Sequence, residues 1–197
     1  MARRVFFSFH YERDIWRVNQ VRNSWITKPN IEEAGYIDKA DFEKLKKRGN
    51  LAIKRWINNQ LIGTSVTVVL IGAETYIRRW VRYEILKSFE KGNGLLGIYI
   101  HKLKDEDKNQ DRKGPNPFDY LGYVITNNNK IYLYEWKLNK WTLYHDISYT
   151  SLSNVNYTFH KSRGRFSDIF STYDWIDDNG YDNIGYWIEK AAKKAGR

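Results

Sequence analysis

The chain has 197 residues, no cysteine, and 33 Lys and Arg against 23 Asp and Glu, giving a formal net charge of +10. That length fits one domain with additions. The absence of cysteine excludes disulfides, thiolate metal sites and a Cys nucleophile, and it fits a reducing compartment. The basic balance suits anionic partners such as nucleotides, nucleic acid or an acidic surface, and an aromatic content of 16% supplies rings for packing or stacking.

The basic start Met1-Ala2-Arg3-Arg4 leads into an apolar run that stops at Phe9 and meets His10, Glu12, Arg13 and Asp14, so it does not read as a signal peptide. No apolar run approaches the roughly 20 residues of a membrane helix, and a cytoplasmic location is the expectation. Val5-Phe6-Phe7-Ser8-Phe9 reads as a buried strand. His10 to Asp14 reads as a turn in which Asp14 caps a helix carrying Ile15, Val18 and Trp25. A short second strand is expected at Ala34 to Ile37. A single helix should follow, capped by Asp38 or Asp41, with the stripe Phe42, Leu45, Gly49, Ile53, Trp56 and Ile57 running to Gln60.

The stretch Thr64 to Phe89 organises the rest. Val66 to Ile71 is short, apolar and β-branched and closes at Gly72, as a strand buried on both faces should. In the helix that follows, Ile77, Trp80, Val81, Ile85 and Ser88 share one side, and Glu84 lies within that stripe. A carboxylate facing a sheet requires a partner or a purpose, because desolvation opposes its charge. Two readings stay open: an ion pair with an Arg from another element, and a working acid.

Leu95 to Ile100 continues the strand and helix alternation of a parallel sheet wrapped by helices. Lys102 to Pro117 is charged and rich in helix breakers, a solvated loop. Ile131 to Trp136 and Trp141 to Tyr144 read as a β-hairpin with the four-residue connection Lys137 to Lys140, added at a sheet edge. Ser148 to Ser171 settles on no pattern, and Ile184, Trp187, Ile188, Ala191 and Ala192 mark a terminal helix. The expected organisation is an α/β core over 1–101, a charged loop over 102–118, and a hairpin and helix extension over 119–197 packed on the same domain.

Gly92-Asn93-Gly94-Leu95-Leu96-Gly97 spells a dinucleotide fingerprint but leaves a helix and enters a strand, the reverse of what phosphate binding needs, so it reads as a helix cap. The four histidines share no ligand spacing, and no metal is expected. In an open parallel sheet the ligand sits beyond the carboxyl ends of the strands, which selects the loops after the first and third strands. These carry Phe9, His10, Arg13 and Asp14 in one, and Glu74, Thr75, Tyr76 and Arg78 in the other.

The opening Val5 to His10 with Arg13-Asp14, together with Thr75 through Trp80-Val81-Arg82-Tyr83-Glu84, resembles TIR-like domains, nearest the TIR subunits of the Thoeris anti-phage system. The similarity runs from Val5 to about Ile100 and returns from Trp187 to Gly196. Many TIR domains place an active-site Glu three residues after a Trp; here Trp80 and Glu84 are four apart. The resemblance implies a TIR, flavodoxin-like fold and NAD⁺ as substrate, with no further cofactor. It implies cleavage of nicotinamide from the ribose with Glu84 stabilising the oxocarbenium-like state, and a cyclic ADP-ribose isomer that carries a signal to a separate effector. Phe9 and Trp80 would frame the bases, Arg13 and Arg78 the pyrophosphate, with His10, Asp14 and Thr75 beside them; packing or surface charge is the competing role for each. Self-association is left open. Against the enzyme stand a TIR interaction module that signals by contact and, ranked last because no motif supports it, a nucleic-acid binder.

Overall fold

In the computed structural model, residues 3–26, 31–34 and 39–197 are described, with side chains taken from outside 25–42. β1 (Arg3–Ser8), α1 (Tyr11–Ile26), β2 (Ile31–Ala34), α2 (Lys39–Lys47), α3 (Asn50–Gln60), β3 (Val66–Ile71), α4 (Arg79–Glu90) and β4 (Gly94–Tyr99) form the alternating half of the chain. β5 (Leu121–Ile125), β6 (Lys130–Lys137), β7 (Lys140–Leu143), β8 (Thr150–Ser151), β9 (Arg163–Arg165), β10 (Thr172–Asp174) and α5 (Gly180–Lys194) follow.

The first sheet is parallel throughout, in the order β2-β1-β3-β4-β10. This is the flavodoxin-like order: the chain steps outward from β1 to β2, then returns across β1 to β3, and a crevice opens where the direction reverses. All six residues of β3 are buried, as a central strand covered on both faces must be. Alternate side chains serve two cores. Val5, Phe7, Val66 and Val68 pack with Val18 and Val21 of α1 and Trp187 and Ile188 of α5. Phe6, Val69 and Ile71 pack with Ile57 of α3 and Val81, Ile85 and Phe89 of α4. That period of two places Ser8 on the α4 side, beside Phe6.

A second, antiparallel sheet runs β7-β6-β5-β9, with β8 paired to β6. Its inner residues Leu121, Tyr123, Ile131 and Leu133 are buried in the same cluster as α4. α4 is therefore held between two sheets, which explains why Tyr83 and Leu86, outside the expected stripe, are buried too. Arg82 of α4 reaches Glu135 of β6 at 2.8 Å.

Several expectations are corrected. α1 begins at Tyr11, so Asp14 stands inside its first turn, and its amide donates to the carbonyl of His10 at 3.0 Å. The early start follows from the intramolecular acceptor that His10 already supplies. β2 is Ile31–Ala34, while residues 35–38, with the rest of the expected strand and the Asp38 cap, lie outside the described residues. The expected helix from Phe42 to Gln60 is two, divided at Gly49, whose φ of 84° a helix cannot continue. Asp41 lies within α2 rather than capping it. Ile77 sits in a 3₁₀ turn over Thr75–Ile77 and is 49% exposed. The hairpin closes through the two residues Leu138 and Asn139, at φ 51° and 59°, values suited to a tight primed turn. It belongs to the second sheet and not to an edge of the first; β10, from the stretch after Ser171, takes that edge beside β4. The charged loop is anchored rather than free: buried Arg17 donates to the carbonyls of Leu103 (2.9 Å) and Asn109 (3.0 Å) and to Asp105 (3.1 Å). Gly92-Asn93 does form a helix terminus, with the Asn93 amide on the Ser88 carbonyl at 3.0 Å. Among the described residues no helix is long and apolar enough to cross a membrane, and no acidic, His or Cys cluster suits a metal ion.

Candidate active site

A pocket of about 270 Å³ opens between the end of β1, α3 and the first half of α4, beside the β1/β3 switch point. Its walls are largely aromatic and apolar, with Phe9 and His10 after β1, Ile53, Trp56 and Ile57 from α3, and Trp80 and Val81 from α4. Glu84 lies one turn below Trp80 on the same flank of α4. α4 starts only at Arg79, because Arg78 is extended (φ −78°, ψ 120°) after the 3₁₀ turn. The pocket therefore runs down the flank of α4 and reaches a carboxyl well inside the helix.

Glu84 is half-buried by surface area and lines the pocket, with its carboxyl set back from bulk solvent. Its hydrogen-bond donor is the Ser8 hydroxyl, 2.5 Å from Oε2. Burial pushes its carboxyl up to about 8, and the Ser8 bond opposes that rise. No cation pairs with it among the described residues, so of the two readings open in the sequence the ion pair is absent. The neighbouring polar groups are absorbed elsewhere: Ser88 donates to the Glu84 carbonyl (2.7 Å) and lies 2.7 Å from Thr67 Oγ1.

His10 is 7% exposed, and burial first, then the Arg78 charge, lowers its imidazole to about 4. It is neutral near pH 7, and its Nδ1 has no hydrogen-bond partner among the described residues. Phe9 stacks against Tyr11 at 6.1 Å and 30°. The Arg79 guanidinium lies 4.8 Å over the Trp80 ring, and Trp80 meets Tyr83 edge-on at 6.1 Å. Arg78 reaches the pocket while ion-paired to Glu74.

The structure thus brings Phe9, His10, Arg78, Trp80 and Glu84 to one pocket, and leaves Arg13, Asp14 and Thr75 outside it. Arg13 makes a two-pronged pair with Asp111 (2.8 and 3.0 Å) and reaches Glu74 at 3.2 Å, tying the charged loop to α1. Asp14 is fully buried and packs onto Gly72, where a Cβ would stand 2.2 Å from its Oδ2. Burial raises its carboxyl to about 7, with Arg17 opposing. Thr75 Oγ1 accepts from the Gly72 amide at 2.9 Å and so closes the turn after β3. Ser8 and Trp56 are site residues that the sequence reading passed over. The strand parity of Ser8 against Phe6 was an available signal, whereas Trp56 reads the same whether it lines a pocket or fills a core.

Ser8 does not line the pocket and meets it through Glu84, whose carboxyl it holds. Ser8→Ala removes the one contact that holds the acid down, so the apparent pKa in the kcat/KM profile should move upward while the fold persists. A profile that keeps its midpoint would deny Ser8 that role.

A parallel sheet of this order, with a buried carboxyl and aromatic walls at its switch point, has the architecture of the TIR-like class. The family model described as Thoeris protein ThsB, TIR-like domain, matches residues 6–105. A protein of Bacillus cereus (strain MSX-D12) named "Putative cyclic ADP-D-ribose synthase ThsB1" is 48% identical over 193 residues, covering 95% of this chain and 100% of its own length. The chain belongs to the ThsB TIR-like family.

Proposed function

We propose that this protein cleaves the nicotinamide–ribose bond of NAD⁺ and closes the ADP-ribosyl group into a cyclic ADP-ribose isomer, a messenger for a separate effector in cytoplasmic anti-phage defence. The observation that carries the reading is Glu84, a carboxyl with no cationic partner among the described residues, facing an aromatic pocket. The name of the 48% identical relative supports the same product class. A pocket of about 270 Å³ suits the nicotinamide riboside end, with the adenosine half lying toward the mouth.

The chemistry balances on the chain's own groups. Phe9, Trp56 and Trp80 hold the cationic ring, and that positive charge favours ionised Glu84, offsetting its desolvation. The bond from C1′ to the nicotinamide nitrogen breaks with its electron pair leaving on nicotinamide, which departs neutral. The carboxylate stabilises the cation left on the ribose. A hydroxyl or base nitrogen of the same nucleotide then bonds to C1′; if a hydroxyl attacks, its proton passes to Glu84, a strong enough base at about 8 to take it. Exclusion of water by the ring walls favours closure over open ADP-ribose. Arg78, which lines the pocket while paired to Glu74, would meet the pyrophosphate.

The test is mass spectrometry of nucleotides from cells expressing the protein or its Glu84→Gln form, before and after phage challenge. The expected result is a species of cyclic ADP-ribose mass that needs both Glu84 and challenge. Protection without any such species, in cells holding folded protein, would replace this reading with signalling by contact.

A further inference from the structure

The outer face of the second sheet has no part in the pocket around Glu84 and shares no residue with it. Side chains alternate along its strands, so with Tyr123 and Leu133 turned inward, Tyr134 and Trp136 of β6, Trp141 of β7, Gly122 of β5, and Arg163 and Arg165 of β9 share the outward side. Gly122 stands opposite both Tyr134 and Arg165 in the ladders. Lacking a side chain, it leaves a gap in the row, and the Trp141 ring closes over that gap, 3.2 Å from where a Cβ would stand.

Two hollows result. One of about 370 Å³ lies among Gly122, Tyr134, Trp141, Arg163 and Arg165. Another of about 390 Å³ lies among Tyr120, Trp136, Trp141 and Arg165. They share Trp141 and Arg165, so a ring and a cation stand between two adjacent spaces. Trp141 is 37% exposed and meets Trp136 at 5.5 Å and 69°. Arg163 and Arg165 are exposed, and their guanidinium groups have no carboxylate partner among the described residues, although the Arg165 amide donates to Asp168 at 2.8 Å. At two residues' separation on one strand they lie ~7 Å apart, within reach of successive phosphates. Of the acids nearby, Asp119 lines the second hollow only and Asp168 is held by the Arg165 amide, so neither pairs with the guanidinium groups of β9, which form the side that takes anions.

We infer that this face binds single-stranded nucleic acid, with bases stacked on Trp141 and Trp136 and phosphates on Arg163 and Arg165. Paired hollows sharing one ring and one guanidinium fit consecutive nucleotides, not a lone mononucleotide. A sheet whose rings must touch base faces selects an unpaired strand, since a duplex keeps those faces stacked inside. The net charge of +10 adds long-range attraction. The sequence held no motif for this, because the contributions of four strands meet only on folding; the expectation against nucleic acid rested on that missing motif.

Fluorescence anisotropy with the full chain tests it, using a labelled oligothymidylate or oligouridylate of about twelve nucleotides and a duplex of equal length. The single strands should bind at least about tenfold more tightly than the duplex, with affinity falling steeply between about 50 and 200 mM salt. Arg163→Gln with Arg165→Gln should lower the slope of log affinity on log salt by about 1.4, the loss of two phosphate contacts. Trp141→Ala should weaken binding about 5- to 150-fold without changing that slope, and Trp141→Phe should restore much of it. All of these side chains are at the surface, and far-ultraviolet dichroism and melting confirm that each variant is folded. Equal affinity for the duplex, or binding that survives both the arginine and the Trp141→Ala changes, would overturn the inference.

Discussion

Glu84→Gln is expected to lower NAD⁺ cleavage by about 10²- to 10³-fold in a protein that remains folded, the loss that follows when one preorganised stabiliser of developing charge is removed. Gln keeps the shape of the acid and still accepts the Ser8 hydroxyl, so the pocket survives and only the charge goes. The pH dependence separates this from a general disturbance. With the free acid at about 8, kcat/KM of the parent should climb as pH rises and level off above 8, because the carboxylate is the active form. Once NAD⁺ is bound, its cationic ring favours the carboxylate, so the profile of kcat should turn over at lower pH than that of kcat/KM. Nicotinamide release, measured on protein recovered from challenged cells, reads both profiles. A parent profile flat from pH 6 to 9, or a variant with near-parent rates, would leave Glu84 without a catalytic role.

How far the sequence reached depended on whether a residue's neighbours lay close along the chain. β3, α4 and α5 were legible because each carries its own periodicity, and Glu84 stood out as a charge inside an apolar stripe. Alternation pointed to a parallel sheet wrapped by helices, while its flavodoxin-like order was implied by the TIR resemblance. β10 is three residues long and forms only because β4 lacks a partner on that side, which no local pattern reports. Arg13 and Arg78 look alike as loop cations, yet Asp111, almost a hundred residues on, draws Arg13 away and leaves Arg78 at the pocket. The burial of Tyr83 and Leu86 likewise required the second sheet. Asp14 was a better cap on paper than in the fold: it faces inward because the helix starts after His10, four residues early, and Gly72 leaves room for a carboxyl.

The same buried acid that serves the reaction should cost stability as pH rises. Below the ordinary carboxylate range both folded and unfolded chains hold the Glu84 proton, and the group favours neither. Above about 4.5 the unfolded chain releases it while the folded chain keeps it up to about 8, so the unfolded state gains at each step of pH until the folded acid also ionises. Each unit of difference is worth about 1.4 kcal/mol, so the loss across this window amounts to a few kcal/mol. Asp14, raised to about 7, acts in the same direction. His10, lowered to about 4, acts in the opposite one between about 4 and 6.5, because there the unfolded chain takes up a proton the folded chain refuses. Glu84→Gln isolates the single group from these. Urea unfolding of parent and variant should give nearly equal stabilities near pH 4.5, a growing advantage for Gln through pH 6 and 7, and a constant advantage above 8. A difference independent of pH would mean that the carboxyl ionises in the folded protein as readily as in water, and the burial that makes Glu84 a capable base would be refuted together with its cost.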